Sequence, residues 1–371
     1  MNSQTRATMD GAWLKKWTGG WVAPVLVSFA LVGCASKVLK VDNPGEMLKT
    51  DEYDKQVKVN EIKLEPSGTY VKLPGPEPVA GAFKAVKKGK KTKFVAVAAP
   101  TPVPTPAVPS LAAAPTPVGK RQPEIEDSEG FIGRRPVKDP YRVGEKVTLE
   151  ASYFGVVAGE LTLEVRPFVD VNGRKSYNFA GTAISTSVFA MFYAVNDWFA
   201  TYVDFETLTP YTYELHVKET KQLREARSIF NWDTMKASFW DKKVNAEKKI
   251  EEKKQEWTIP SHSQNIFSIA YYIRAFQLKP GKKLAIRLAH ENENLIVTTE
   301  VLRKERIKTA AGEFDTIVTK PKIEINGVFK PVGDIFIWFT DDDRKFIVRM
   351  ESKIKIGTIV ASAKAIERGQ N

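Results

Sequence analysis

The chain has 371 residues, 43% hydrophobic and 27% charged, an ordinary globular balance with room for one large domain or two smaller ones. Its net charge of +12 is spread out: 3 basic against 1 acidic residue in 1–34, 18 against 13 in 35–140, and 35 against 30 in 141–371. That spread argues against a nucleic-acid surface and for a mild attraction to anionic lipid or cell-wall polymer. A single cysteine excludes a disulfide within the chain.

The N-terminus reads as an export signal. Lys15 and Lys16 precede an apolar run over 21–33, shorter than the roughly 20 residues a spanning helix needs. Met1 and Met9 are both candidate starts. The run ends in Leu31-Val32-Gly33-Cys34, which resembles the bacterial lipobox. That signal implies a diacylglyceryl group on the Cys34 thiol, cleavage before it and acylation of the new N-terminus. Small Gly33 gives the peptidase access, and several acyl chains anchor firmly where one would be marginal. Residues 1–33 are therefore read as a lipoprotein signal peptide. Ala35, where enteric bacteria use Asp for inner-membrane retention, favours the outer membrane.

Residues 34–139 are expected to be a low-complexity tether. Residues 57–71 alternate weakly, enough for a short strand or hairpin. Lys84, Lys87, Lys88, Lys90, Lys91 and Lys93 form a basic cluster, read as a solvated segment or as a contact for anionic polymer. Pro100, Pro102, Pro104, Pro106, Pro109, Pro115, Pro117 and Pro123 follow, with no aromatic residue between Phe94 and Phe131. Such a stretch buries too little apolar surface to offset its ordering entropy and favours extended polyproline II, a semi-stiff spacer.

From residue 140 to 367 the pattern changes to strict alternation. Val147, Leu149, Ala151 and Tyr153 share one face, and Leu161, Leu163, Val165 and Val169 another, the period of half-buried antiparallel strands. Asn172-Gly173 reads as a tight hairpin turn. Further strands are predicted over 175–184, 196–204, 211–217, 225–232, 236–240 and 244–251. After an interruption come 283–290, 295–304, 313–319, 334–340, 345–352 and 355–363. Two interruptions read as helical, 185–193 and 263–276, the second with Ile266, Ile269, Ala270, Ile273 and Phe276 at helical spacing and Ser261 or Ser263 as its cap. The fold class is all-β with minor α: a strongly curved antiparallel sheet or partly closed β-barrel, one or two covering helices, and a disordered tether before it.

Landmarks of this domain occur in a recognisable order. They are Tyr141-Arg142-Val143-Gly144-Glu145, Ala158-Gly159, Tyr193-Ala194-Val195-Asn196-Asp197, Asp204 through Pro210, Ala270-Tyr271-Tyr272-Ile273-Arg274, Gly281 and Gly312-Glu313-Phe314. Ile337-Trp338-Phe339-Thr340-Asp341 and Lys355-Ile356-Gly357-Thr358-Ile359 complete the set. The pattern resembles the bacterial envelope family known as domain of unknown function 3108. The resemblance covers 141–366 and implies export and a β-rich fold, with no established activity. The Asp341-Asp342-Asp343 turn and the charged stretch over 242–255 are more polar than that pattern.

No catalytic constellation stands out. There is no G-x-S-x-G, the one cysteine is assigned to lipid, and His216, His262 and His290 are scattered. No metal and no cofactor is assigned; the Asp341–Asp343 carboxylates lack the rest of a calcium ligand set. Asp197, Arg274 and Trp338 are the candidate binding residues. Arg274 is read either in an ion pair fixing helix to sheet or as a fork for a carboxylate or headgroup. Trp338 lies on a strand apolar on both faces, which implies core on one side and helix packing on the other, or a greasy cavity. The expectation is a non-enzymatic outer-membrane lipoprotein facing the periplasm. Its partners would be the membrane, through the anchor, and an apolar envelope ligand or a protein, not nucleic acid. A scaffold touching cell wall or membrane through the basic tether, and an uncharacterised envelope enzyme, are the alternatives.

Overall fold

The computed structural model describes residues 50–62, 127–325, 328–330, 334–354 and 357–370. The signal peptide, Cys34, the Lys84–Lys93 cluster and the proline-rich stretch lie outside these residues.

The strands are β1 (Val59–Glu61), β2 (Phe131–Ile132), β3 (Arg135–Pro136), β4 (Glu145–Tyr153), β5 (Val156–Val171) and β6 (Arg174–Ser185). They continue with β7 (Asn196–Asp204), β8 (Pro210–Lys218), β9 (Gln222–Asn231), β10 (Lys236–Asn245), β11 (Ile250–Thr258) and β12 (Lys283–His290). The last are β13 (Glu293–Thr309), β14 (Gly312–Ile325), β15 (Val328–Lys330), β16 (Asp334–Thr340), β17 (Ile347–Ile354) and β18 (Gly357–Arg368). Among the described residues the helices are short: α1 (Asp51–Gln56), α2 (Ser187–Ala190), α3 (Ser268–Tyr272) and a 3₁₀ turn over Ile273–Ala275. No described helix is long and apolar enough to cross a membrane.

One antiparallel sheet runs β11-β10-β9-β8-β7-β6-β5-β4-β18-β17-β16-β14-β13-β12, with β1 added to β5 and β15 to β14. The predicted mostly-β, strongly curved fold is what the chain adopts. Alternation explains the strands, and Asn172 and Gly173, both at positive φ, make the predicted turn between β5 and β6. The end strands β11 and β12 do not pair, so the sheet stays open. The chain after β11 lies along β12 instead: Gln264 N–H donates to Arg287 O (2.8 Å) and Ala289 N–H to Gln264 O (2.9 Å).

Three predicted elements fall differently. The strand expected over 244–251 is split: Val244 belongs to β10, and β11 begins at Ile250. β11 is a mostly exposed edge strand whose middle reads Glu251-Glu252-Lys253-Lys254-Gln255-Glu256, so no apolar periodicity marks it, and its charges suit an edge. The helix expected over 263–276 shrinks to α3 and the 3₁₀ turn. Its start is organised by Asn265 rather than Ser261 or Ser263, since Asn265 Oδ1 accepts from Phe267 N–H (2.9 Å) and Ser268 N–H (2.8 Å). The helix expected over 185–193 is the single turn α2, capped by Thr186.

The α3 segment fills the concave face. Tyr271 stacks on Phe179 with ring centres 4.1 Å apart, and Phe267 stacks on Phe199 at 4.3 Å. The Tyr271 hydroxyl donates to Ala180 O at 2.8 Å. Aromatic side chains thus occupy the space between helix and sheet.

Both flanks of the expected tether belong to this unit. Tyr53 on α1 is buried on the outer face against Ile229 and Trp240, and β1 pairs with β5, Val59 opposite Val171. On the other flank Arg135 pairs with Asp139 (2.6 Å), and its guanidinium lies 4.0 Å from the centre of the Phe205 ring. A chain with one aromatic anchor and a three-residue strand carries too short a period to stand out in sequence. In the sequence, residues 63–126 fall between these two segments of the folded unit. They do not separate Cys34 from it.

Candidate functional site

The turns β4–β5, β6–β7 and β8–β9 lie at one end of adjacent strands and form a continuous rim. Thr186 N–H donates to Ala158 O (2.9 Å), joining the first turn to the second. Thr220 N–H donates to Ala194 O (3.0 Å), and Ala194 N–H to Thr220 Oγ1 (2.7 Å), joining the second to the third. The β10–β11 turn follows along the same end. The described residues include eleven large hydrophobic side chains that are exposed. Eight of them sit on this rim: Phe154, Val156, Val157, Ile184, Val188, Met191, Phe192 and Ile250. Exposed large apolar side chains gathered at one end of a sheet mark an interaction site.

Directly beneath the rim the inner face becomes polar. Asp197 follows the parity of Phe199 and so points inward, as Glu219 does after Val217. Asp197 is 1% exposed and accepts from Lys218 N–H at 2.9 Å. Burial, then the charge of Glu219, pushes the Asp197 carboxyl up to about 8, so it holds a proton at neutral pH and shares it with Glu219. Burial likewise raises Glu219, against hydrogen bonds from Tyr193 and Gln222. Tyr193 Oη donates to Glu219 Oε2 at 2.8 Å and Gln222 Nε2 at 2.6 Å. Glu219 Oε1 takes no bond from these donors, which leaves the Asp197 proton to satisfy it. The pair thus pins Tyr193, and with it the apolar β6–β7 turn.

A second inward network lies beside it. Arg224 Nε donates to Asp241 Oδ1 and Arg224 Nη2 to Glu291 Oε1, each at 2.6 Å. Burial opposes the Arg224 charge, but Glu291 and Asp241 outweigh it and raise its basicity further. Glu291, raised by burial, is brought below its ordinary range chiefly by Arg224. His290 is driven towards the neutral form by burial. The network clamps the β12–β13 turn onto β9 and β10, a structural duty in a sheet whose edges do not pair.

The three candidate binding residues sit in separate surroundings. Arg274, on the 3₁₀ turn, is 4% exposed, with Nη1 2.6 Å from Glu145 Oε1 on β4. Its Nε and Nη2 donate to Arg344 O (3.0 and 2.8 Å) and Nη2 also to Pro140 O (3.2 Å). The Tyr141 and Phe346 ring centres lie 5.4 and 5.6 Å from its guanidinium carbon. This is a brace between helix and sheet, and each of the three guanidinium nitrogens is bonded to the protein. Trp338 donates to Glu305 Oε1 at 2.6 Å, with the Arg349 guanidinium over its ring. Lys320 and Lys353 lie over Phe336 on the same strand. Cationic side chains, rather than a helix or a cavity, sheathe the second apolar face of β16. Asp197 alone of the three lies under the rim.

In the acidic turn after β16, Asp342 Oδ1 accepts from Thr340, Arg344 and Lys345, while Asp341 pairs with Lys304 and Asp343 with Lys138. Among the described residues no group of three or more His, Cys, Asp or Glu side chains is placed to hold a metal. Glu219, Arg224 and Asp241 belong to no motif in the sequence. The available signal was parity: Arg224 and Asp241 stand at positions that alternation assigns to the apolar face.

Comparison with known proteins agrees with the order of landmarks. A family model described as a protein of unknown function (DUF3108) matches residues 148–364. No curated protein matches the chain. Among solved structures, a β-barrel-like protein of domain of unknown function DUF1849 from Brucella abortus is 10% identical, with a TM-score of 0.40, over 61% of this chain and 97% of that one. A candidate exported protein with a YmcC-like fold from Bacteroides fragilis is 10% identical, with a TM-score of 0.28, over 62% and 97%. A candidate lipoprotein from Parabacteroides distasonis is 11% identical, with a TM-score of 0.27, over 61% and 95%. The family model spans more than half of the chain and most of the sheet, and the chain belongs to the DUF3108 family.

Proposed function

We propose that the chain is a non-enzymatic lipoprotein of the outer membrane, anchored through Cys34 and facing the periplasm, whose β-domain binds an apolar envelope component at its rim. The observation that carries the binding role is the cluster of exposed apolar side chains on the β4–β5 and β6–β7 turns, which a backbone hydrogen bond joins. The α3 aromatics fill the concave face, so binding is assigned to the rim rather than to an interior cavity. The buried charges support a non-catalytic reading, because Arg274, Arg224 and Glu291 are each committed to protein partners. The anchor rests on the lipobox resemblance and on the absence of any other cysteine.

The test is the intact mass of the protein extracted from membranes. Acyl-chain increments that map to Cys34 and vanish in Cys34→Ser are expected. An unmodified mass on a chain still carrying residues 1–33 would refute the anchor.

A further inference from the structure

The rim's composition and its distance from the anchor specify what it meets. Phe192, Phe154 and Met191 are 77%, 75% and 73% exposed. Side chains that open protrude, whereas a ligand pocket would enclose them. Residues 154–157 and 186–196, the two most apolar turns, contain no charged side chain. The neighbouring turns supply cations: Lys218 and Lys221 around β8–β9, and exposed Lys248 and Lys249 on β10–β11, where Glu247, Glu251 and Glu252 are exposed acids and Lys249 Nζ lies 3.8 Å from Glu251 Oε1. Aromatic and aliphatic tips bordered by lysines match the interface of a bilayer, where apolar groups enter the acyl boundary and ammonium groups meet phosphates.

Reach agrees. Cys34 and Thr50 are sixteen residues apart, at most about 55 Å at roughly 3.3–3.6 Å per residue. Thr50 Oγ1 accepts from Arg227 on β9 at 2.9 Å. Arg227 is five residues from Gln222, where β9 meets the rim, about 17 Å at roughly 3.3 Å per residue. The proline-rich stretch follows β1 and so does not lengthen this connection. An acyl anchor at Cys34 and the rim can therefore occupy one leaflet.

We infer that the rim formed by the β4–β5, β6–β7, β8–β9 and β10–β11 turns is a membrane-docking surface, selective for bilayers that carry anionic lipid. This rests on the reading of the rim as the binding surface, but not on acylation. Docking sets the orientation of the domain: the end bearing Arg274 and the β16–β17 turn points away from the bilayer, and the Asp197–Glu219 pair lies just behind the docked turns.

The experiment uses the mature chain with Cys34→Ser, so no acyl group contributes. It is floated with vesicles of phosphatidylethanolamine and phosphatidylglycerol, and with vesicles of phosphatidylcholine alone. Binding to the anionic vesicles, weakened by salt, is expected. Phe154→Ser combined with Phe192→Ser should lower the partition at least about tenfold, since each removes a large apolar side chain from the interface. Both positions are exposed, so the thermal midpoint should hold. As a second readout, Phe192→Trp should show a blue-shifted emission change on vesicle addition, above the signal of the native tryptophans. No binding to either vesicle, or binding undiminished in the double variant, overturns the proposal. So does photo-crosslinking at residue 192 in cells that captures only protein; that result would leave the rim as a binding surface but with a protein occupant. Absent acylation at Cys34 would remove the anchor and leave the vesicle result standing.

Discussion

Arg274 Nη1 lies 2.6 Å from Glu145 Oε1, and both side chains are almost fully buried. Arg344 Nη2 donates to the other Glu145 oxygen at 2.7 Å, so one carboxylate on β4 ties the 3₁₀ turn and the β16–β17 turn to the sheet. Taking charges out of water is costly, and the return comes only while every partner is present. Glu145→Ala would leave two guanidinium groups facing each other across a buried gap. The expected cost is about 3–5 kcal/mol in urea unfolding, the range for removing one partner of a buried pair. A loss below about 1 kcal/mol would show that the pair is solvated rather than structural.

Asp197 makes stability depend on pH. Its carboxyl is raised to about 8 by burial and by Glu219, so the native chain keeps a proton that the unfolded chain releases. Between the ordinary carboxyl range and about pH 8 the native state therefore binds more protons, and stability falls as pH rises through that window. Asp197→Asn keeps an oxygen for Lys218 N–H and a donor for Glu219, yet cannot ionise. The variant should gain on the wild type as pH rises, by on the order of 1 kcal/mol per pH unit within the window, and by no more above it. Parallel wild-type and variant curves from pH 5 to 9 would contradict the shared proton.

Tyr53 fastens the segment that precedes the proline-rich stretch. Its ring packs on Trp240, its hydroxyl lies 2.9 Å from Thr212 Oγ1, and the Arg227 guanidinium stands 5.0 Å from its centre. The Lys254–Glu52 pair at 2.6 Å beside it is exposed and adds little. Tyr53→Ala should release residues 50–61 as a unit. Hydrogen exchange at Val59 and Glu61, which pair with Val171 and Val169, should then accelerate while β7 and β8 keep their protection. Unchanged exchange at β1 would mean the strand docks without its aromatic anchor.

Alternation made most of the sheet legible in the sequence: β7 and β16 begin and end where the pattern places them. It is weakest where burial is one-sided or absent. β11 is exposed over most of its length, so its paired charges, Glu251-Glu252 and Lys253-Lys254, mark no inside or outside, and the strand begins six residues later than the pattern suggests. α3 is too short to show a helical period, and its apolar spacing over 263–276 arises because the whole segment is buried inside a curved sheet. Asp197 was singled out for its apolar setting, but its partner was not, because Glu219 is brought to it by the pairing of β7 with β8 and not by sequence spacing. The rim is likewise silent in the sequence: Phe154, Met191 and Phe192 read as ordinary apolar residues until the turns that carry them fall side by side.

Gly181 on β6 shows how close packing sets a residue choice that no motif marks. It pairs with Phe199 on β7, and a Cβ at Gly181 would meet Phe199 Cε1 at 2.4 Å and the Thr162 carbonyl oxygen at 2.9 Å. The second contact is backbone and cannot rotate away. The first is to a ring already stacked on Phe267, so moving it disturbs the seat of the α3 segment. A glycine here therefore offsets its entropic cost in a strand by letting an aromatic ring lie flat across the neighbouring strand. Gly181→Ala should destabilise the fold by about 1–3 kcal/mol, the range for overpacking. Combining it with Phe199→Leu should recover part of that loss, because the shorter side chain clears the new methyl group. Strictly additive losses in the double variant would show that the Thr162 carbonyl, not the ring, sets the limit.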